Sequence, residues 1–167
     1  MTIWILQVLV SVIFFANKLL VLVGRKSGWA LGAVAATLGV FYFYLIHLNI
    51  YVALEAGLII LMCYGFIGSK KNPRVDKWIR LMTTTAMLLL AIVAFGGMLT
   101  VVELISSSCL LWGTYLLTQG KARQGWFVSV AAHSLAAYLG YERGQQIFLD
   151  FQVASAMVSF VGATTKK

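Results

Sequence analysis

Residues 119–133 read QGKARQGWFVSVAAH. A short stretch carrying Lys121 and Arg123 breaks apolar sequence, and Gly125–Trp126 opens the next apolar run. The same order, basic residues and then Gly-Trp, occurs at Arg25, Lys26 and Gly28–Trp29. Sliding the chain by 97 residues superposes the two pairs and much around them. Leu38 falls on Leu135, Tyr44 on Tyr141, Ile50–Tyr51 on Ile147–Phe148, Glu55 on Gln152 and Gly65 on Gly162. Upstream, Ser11 falls on Ser108, Leu19–Leu20 on Leu116–Leu117 and Asn17 on Thr114, with no gap. The Gly-Trp pair and the Glu/Gln match carry most of the weight, because apolar-on-apolar identities are common.

Composition sets the medium in which the repeat folds. The chain has 167 residues, of which 61% are hydrophobic and 11% charged. Soluble domains are nearer half apolar and a quarter charged. Apolar blocks lie at about 3–23, 29–46, 50–67, 79–101, 104–118, 126–141 and 145–163. Roughly 20 helical residues cross the ~30 Å bilayer core. Seven spans put the loops at 24–28, 68–78 and 119–125 and the C-terminus on one side. That side then holds eleven Lys and Arg residues, counting Arg80 at the start of the next span, and the other side only Arg143. Basic residues in short loops stay cytoplasmic, so the N-terminus is expected outside.

The expected fold is an all-α integral membrane protein. It has seven transmembrane helices, as two parallel three-helix repeats joined by a linker helix. Residues 1–78 form the first triplet and its loop, 79–101 the linker helix and 102–167 the second triplet. One intervening helix gives both triplets the same orientation, the plan of SWEET-type carriers. A substrate site is expected between the triplets, near mid-membrane.

The +8 charge is accounted for as an orientation signal. The lipid bilayer is the expected partner, and no nucleic acid is. The first apolar run lacks a basic lead and an A-x-A-like cleavage site, so it reads as a permanent helix. Cys63 and Cys109 lie toward opposite faces and are expected to remain thiols. His47 and His133 lack metal-ligand spacing, and no HExxH, GxSxG or phosphate loop occurs. Neither an enzyme nor a cofactor is expected.

The candidate site consists of polar and aromatic residues inside the spans. Glu55 lies roughly 8 Å into the third span at 1.5 Å per residue. A charge there costs about 2.5–3.5 kcal/mol on insertion scales unless it is paired, hydrated or protonated. Its repeat mate Gln152 shares a helical face with Ser155 and Ser159, where the alternative role is interhelical glue. His133 lies roughly 10 Å into the sixth span, as a substrate contact or a structural histidine. Asn17 is a lumen candidate, whereas Lys18 snorkels to the headgroups. Trp112, Tyr42, Tyr44 and Tyr64 are candidates for stacking on a flat ring, Trp112 foremost. Trp29 and Trp126 begin their spans and read as interfacial anchors. Asp150, near the outer surface, is expected to face a vestibule or a neighbouring helix.

The run GWALGAVAATLGVFYFYLIHLNIYVALEAGLIILMCYGF at 28–66 resembles the PnuC-type vitamin transporters. Trp29 and Gly32 match the Trp-x-x-Gly start of that family's second helix. Glu55 takes the place of a third-helix Gln, and Tyr64–Gly65 match a Tyr-Gly pair. Trp112 with LLTQGKARQGW resembles its Trp-Leu-Leu…basic…Asn-Trp passage, and Gln152 matches a last-helix Gln. Ser129 stands where a second Trp is usual, and His133 where an acidic or amide residue is common. The resemblance implies facilitated diffusion of nicotinamide riboside, or of thiamine, riboflavin or deoxynucleosides as in related members, and a homotrimer. Rival readings are a SWEET-like sugar facilitator, whose proline-bearing helices are missing here, and a non-transporting membrane interaction or sensor protein.

Overall fold

A computed structural model describes residues 3–67, 74–75, 77–79, 81–82, 84–85 and 98–165. Its six long helices are α1 (Ile3–Leu22), α2 (Lys26–Leu45), α3 (Asn49–Ile67), α4 (Met98–Thr118), α5 (Ala122–Glu142) and α6 (Gln146–Thr165). The expected linker helix at 79–101 and the loop at 68–78 lie largely outside the described residues. α1, α2 (from Ser27), α3, α4 and α6 are each long and apolar enough to cross a membrane. α5 is as long, but carries Arg123, Gln124, His133 and Glu142. The chain therefore has the make-up of a multi-pass membrane protein.

The distribution of side chains is consistent with that medium. Val12, Phe41, Ile60, Trp112, Phe127, Met157 and Phe160 are exposed on the outside, whereas Asn17, Glu55, Glu103, His133 and Gln152 are buried. Water outside favours the opposite arrangement, with charged groups outward and large apolar groups inward. Lipid outside makes the apolar exterior inexpensive.

Four tight turns join α1 to α2, α2 to α3, α4 to α5 and α5 to α6, and all four end a helix in the same way. In each, one residue adopts positive φ: Gly24 (77°), His47 (58°), Gly120 (75°) and Gly144 (64°). Its N–H bonds three residues back, and the next N–H five residues back, as in Gly24 to Val21 and Arg25 to Leu20. This Schellman closure satisfies carbonyls that the helix end would otherwise leave unpaired. Glycine takes this conformation without strain, whereas a side chain crowds the carbonyl. His47 is the exception, and it is exposed. His47→Gly should therefore raise stability by about 1 kcal/mol, read as a higher melting temperature in detergent; a fall would show that the imidazole has a role of its own.

The turns also locate a discrepancy with the gapless offset. Gly24 and Gly120 are 96 residues apart, whereas His47 and Gly144 are 97 apart. The extra residue lies between the turn glycine and Gly-Trp: three residues separate Gly24 from Gly28, and four separate Gly120 from Gly125. α5 is accordingly one residue longer than α2. Counted from the turn glycines, an offset of 96 pairs Asn17 with Gly113, whereas the gapless offset pairs it with Thr114. Asn17 lies against Gly32, and Gly113 against Ser129, with the larger side chain on opposite helices in the two cases.

The helices close into a ring. α1 packs on α2 and α2 on α3; α4 packs on α5 and α5 on α6; α3 meets α4, and α6 meets α1. Small residues permit the close seams. A Cβ on Gly28 would lie 2.8 Å from the Val21 backbone nitrogen, and one on Gly125 would lie 2.8 Å from the Gly113 carbonyl oxygen.

Candidate functional site: a polarised cavity inside the helix ring

A cavity of about 80 Å³ runs inside the ring. A single water needs roughly 10–15 Å³, so the space holds several. Its walls come from all six helices at helical spacing. On α1 the lining stripe is Gln7, Val10, Ser11, Phe14, Asn17, Lys18 and Val21, one continuous face. On α4 it is Ser106, Leu110, Thr114 and Leu117, each 96 residues beyond Val10, Phe14, Lys18 and Val21. On α6 Phe148, Phe151 and Gln152 line it, each 97 residues beyond Tyr51, Leu54 and Glu55 on α3.

Glu55, Gln152, His133 and Asn17, all candidates from the sequence, are among the residues that line this cavity. α5 starts at Ala122, so His133 lies eleven residues in, roughly 16 Å deep and near mid-helix. Its ring is buried between two partners. The Gln152 Oε1 carbonyl accepts from Nδ1, at 2.5 Å. A carbonyl oxygen is only an acceptor, so Nδ1 carries the proton and Nε2 is left as the acceptor. Lys18 Nζ donates to that Nε2. Both ring nitrogens are thereby used, and a direct substrate bond to His133 requires one of these partners to leave. Lys18 thus turns inward, contrary to the snorkelling expected of it. Its position four residues from the end of α1 suits either orientation; the ring's acceptor nitrogen favours the inward one.

Asn17 is 3% exposed and donates from Nδ2 to the Gly28 carbonyl oxygen at 2.7 Å. It therefore locks α1 onto the start of α2 as well as lining the cavity. Glu55 is 4% exposed, and its Oε2 has no hydrogen-bond partner among the described residues. Its carboxyl lies against Gly39, where a Cβ would come within 2.8 Å of Cδ. The residue 97 beyond Gly39 is Ala136, and the residue 97 before His133 is Ala36. Gln152 thus has a histidine to bond, whereas Glu55 has only small residues in the matching places.

The aromatic expectations divide differently from the sequence reading. Trp29 and Trp126 line the cavity rather than merely anchoring helix ends, and Trp126 is only 3% exposed. Gly65 leaves room for the Trp29 ring and Gly162 for the Trp126 ring, each with a would-be Cβ 2.5 Å from ring carbons. The shared 97-residue spacing of both Trp and both Gly was the available signal. Trp112 faces outward, half exposed and stacked on Tyr115 with centroids 5.5 Å apart. At 100° per residue it stands about 160° from both Leu110 and Thr114, so it does not line the cavity. Tyr64 and Tyr44 also lie off the lining, and Tyr42 is part of it. Asp150 is exposed and accepts from Gln146 Nε2 at 2.7 Å.

Sequence reasoning passed over Glu103. It is 4% exposed and accepts from Arg143 Nη2 at 3.1 Å, tying α4 to the α5–α6 turn. The signal was the lone basic residue of its side. Arg143→Ala leaves that carboxylate buried and unpaired, which should cost about 1–2 kcal/mol given the partly exposed arginine. Arg143→Ala with Glu103→Gln should recover most of the loss in a melting measurement in detergent; equal melting of the single and double variants would rule out the charge explanation. Ser159 Oγ donates to the Ser155 carbonyl of its own helix at 2.8 Å, so it does not bridge helices. Both cysteines are free, and no cluster of metal-ligating side chains occurs among the described residues.

No family model, curated protein or solved structure matches the chain.

Proposed function

We propose that the chain is a facilitator of a bacterial inner membrane that carries a small aromatic vitamin or nucleoside, nicotinamide riboside foremost. The observation that carries this reading is Glu55, whose Oε2 has no hydrogen-bond partner among the described residues and whose side chain lines a cavity edged by Trp29, Trp126, Tyr42, Phe43 and Phe148. Placing a carboxylate in a membrane helix costs free energy, and no described residue bonds the Glu55 Oε2 to offset it. A ligand that bonds it offsets that cost. Aromatic walls add stacking and, for a pyridinium ring, cation–π attraction of about 0.5–2 kcal/mol.

The mechanism is alternating access, with α1–α3 and α4–α6 rocking as two parallel repeats about the cavity. The 96- and 97-residue correspondences of turns, lining residues and Trp–Gly contacts support the repeat. The N-terminus lies outside and the C-terminus in the cytoplasm, following the basic loops. A fluorescent protein fused after Lys167 should mature, and activity of a periplasmic phosphatase at that position would invert the topology.

A thermal-shift screen of the purified chain against vitamins and nucleosides tests the function, because a ligand that prefers the folded state raises its stability. Nicotinamide riboside or a related ring compound should raise the melting temperature. A flat response to every aromatic vitamin and nucleoside would refute a carrier of this class.

A further inference from the structure

Resting on the carrier reading, the geometry points to a zwitterionic ring compound as a tighter ligand than the cationic nicotinamide riboside to which the family resemblance points: a flat ring with an anionic group at one end and a positive nitrogen at the other. The ring of helices is polarised across its width. On the α1/α5/α6 side the chain Lys18–His133–Gln152 presents donors. An ammonium has three N–H donors, and Lys18 gives one to His133 Nε2. Gln152 uses its carbonyl on His133 Nδ1, which leaves its amide N–H groups out of that bond. His133, with both nitrogens engaged, offers nothing further and acts as the strut that holds the other two.

The opposite seam, between α2 and α3, presents an acceptor. Glu55 Oε2 has no partner among the described residues, and Ala36 and Gly39 offer it none. In the ring order α1 to α6, the α2–α3 and α5–α6 seams stand across the cavity from each other. A purely cationic ring satisfies Glu55 and sets its charge against the Lys18 ammonium. A neutral nucleoside satisfies neither pole fully. A ring with a carboxylate toward Lys18 and a positive nitrogen toward Glu55 satisfies both: the Lys18 ammonium donates to the carboxylate in a charge-assisted hydrogen bond, roughly twice as strong as a neutral one, and the fixed ring charge, which has no N–H in a riboside, attracts Glu55 through space.

Two compounds that share ring and sugar isolate the anionic pole: nicotinic acid riboside, a zwitterion, and nicotinamide riboside, a cation. Uridine serves as the neutral comparison. Equilibrium binding to the purified full chain should be at least tenfold tighter for nicotinic acid riboside than for either of the others. Lys18→Met should remove that advantage over nicotinamide riboside. Glu55→Gln should weaken both charged ligands. Tighter binding of nicotinamide riboside than of its acid overturns the polarity assignment and leaves the carrier reading standing, as does equal binding of all three. Binding of none overturns both. The comparison on the unsubstituted chain decides the matter even if Lys18→Met fails to fold.

Discussion

Glu55→Gln should lower uptake of nicotinamide riboside by about 10- to 100-fold without loss of folded protein. Hydrogen bonds to charged groups contribute about 1.5–3 kcal/mol, and each 1.4 kcal/mol is tenfold in affinity. The substitution keeps the size of the side chain, so the close approach to Gly39 is undisturbed. It also removes a buried carboxyl oxygen that no described residue bonds, so melting in the absence of cargo should be unchanged or higher. Loss of function with retained or raised stability is the mark of a group held for its ligand. Gln152→Ala should impair uptake as well, but with a fall in melting temperature, because it strips His133 of its Nδ1 acceptor. Uptake by both variants equal to the parent would remove the pocket assignment, and a large stability loss in Glu55→Gln would make Glu55 a packing residue.

Gly162→Ala should be among the most damaging small substitutions in the described residues. A Cβ there would lie 2.5–2.7 Å from Cγ, Cδ2 and Cδ1 of Trp126. These atoms are close to the tryptophan backbone and cannot swing away without moving α5. Overpacking of this kind costs about 1–3 kcal/mol, and for Trp126, 3% exposed, the upper end applies. Gly65→Ala makes the matching clash with Trp29 at Cδ2, Cε3 and Cε2. Trp29 is only half-buried, so its ring has somewhere to go and the loss should be smaller. Tryptophan fluorescence and melting in detergent measure both. Equal tolerance of the two alanines would contradict the tight seat assigned to Trp126.

Much of the helical plan is legible in the sequence, because a membrane span is a hydropathy block and its basic flanks mark the turns. α1 and α3 match their apolar blocks to within a residue at either end. α4 and α5 extend beyond theirs, to Met98 and Ala122 at one end and to Glu142 at the other. Glu103 and Arg123 interrupt hydropathy, but neither interrupts helical hydrogen bonding. Which face of a span looks inward is less legible, since every face is apolar. Trp112 and Trp126 are chemically alike, and only their angular position relative to Leu110, Thr114 and Gly162 separates an outward ring from a lining one. Lys18 is ambiguous for a related reason. Its long stem reaches the headgroups or the lumen equally well, and the choice is made by His133 Nε2, 115 residues away in sequence.

The most direct measurement is solvent access at position 55. In a chain carrying Cys63→Ser and Cys109→Ser, Glu55→Cys should react in native membranes with a small water-soluble thiol reagent, because a carrier must open its cavity to one side at a time. Saturating nicotinamide riboside should slow the reaction. A thiol that stays unmodified until the protein is denatured would mean a sealed helix bundle, and would contradict the carrier.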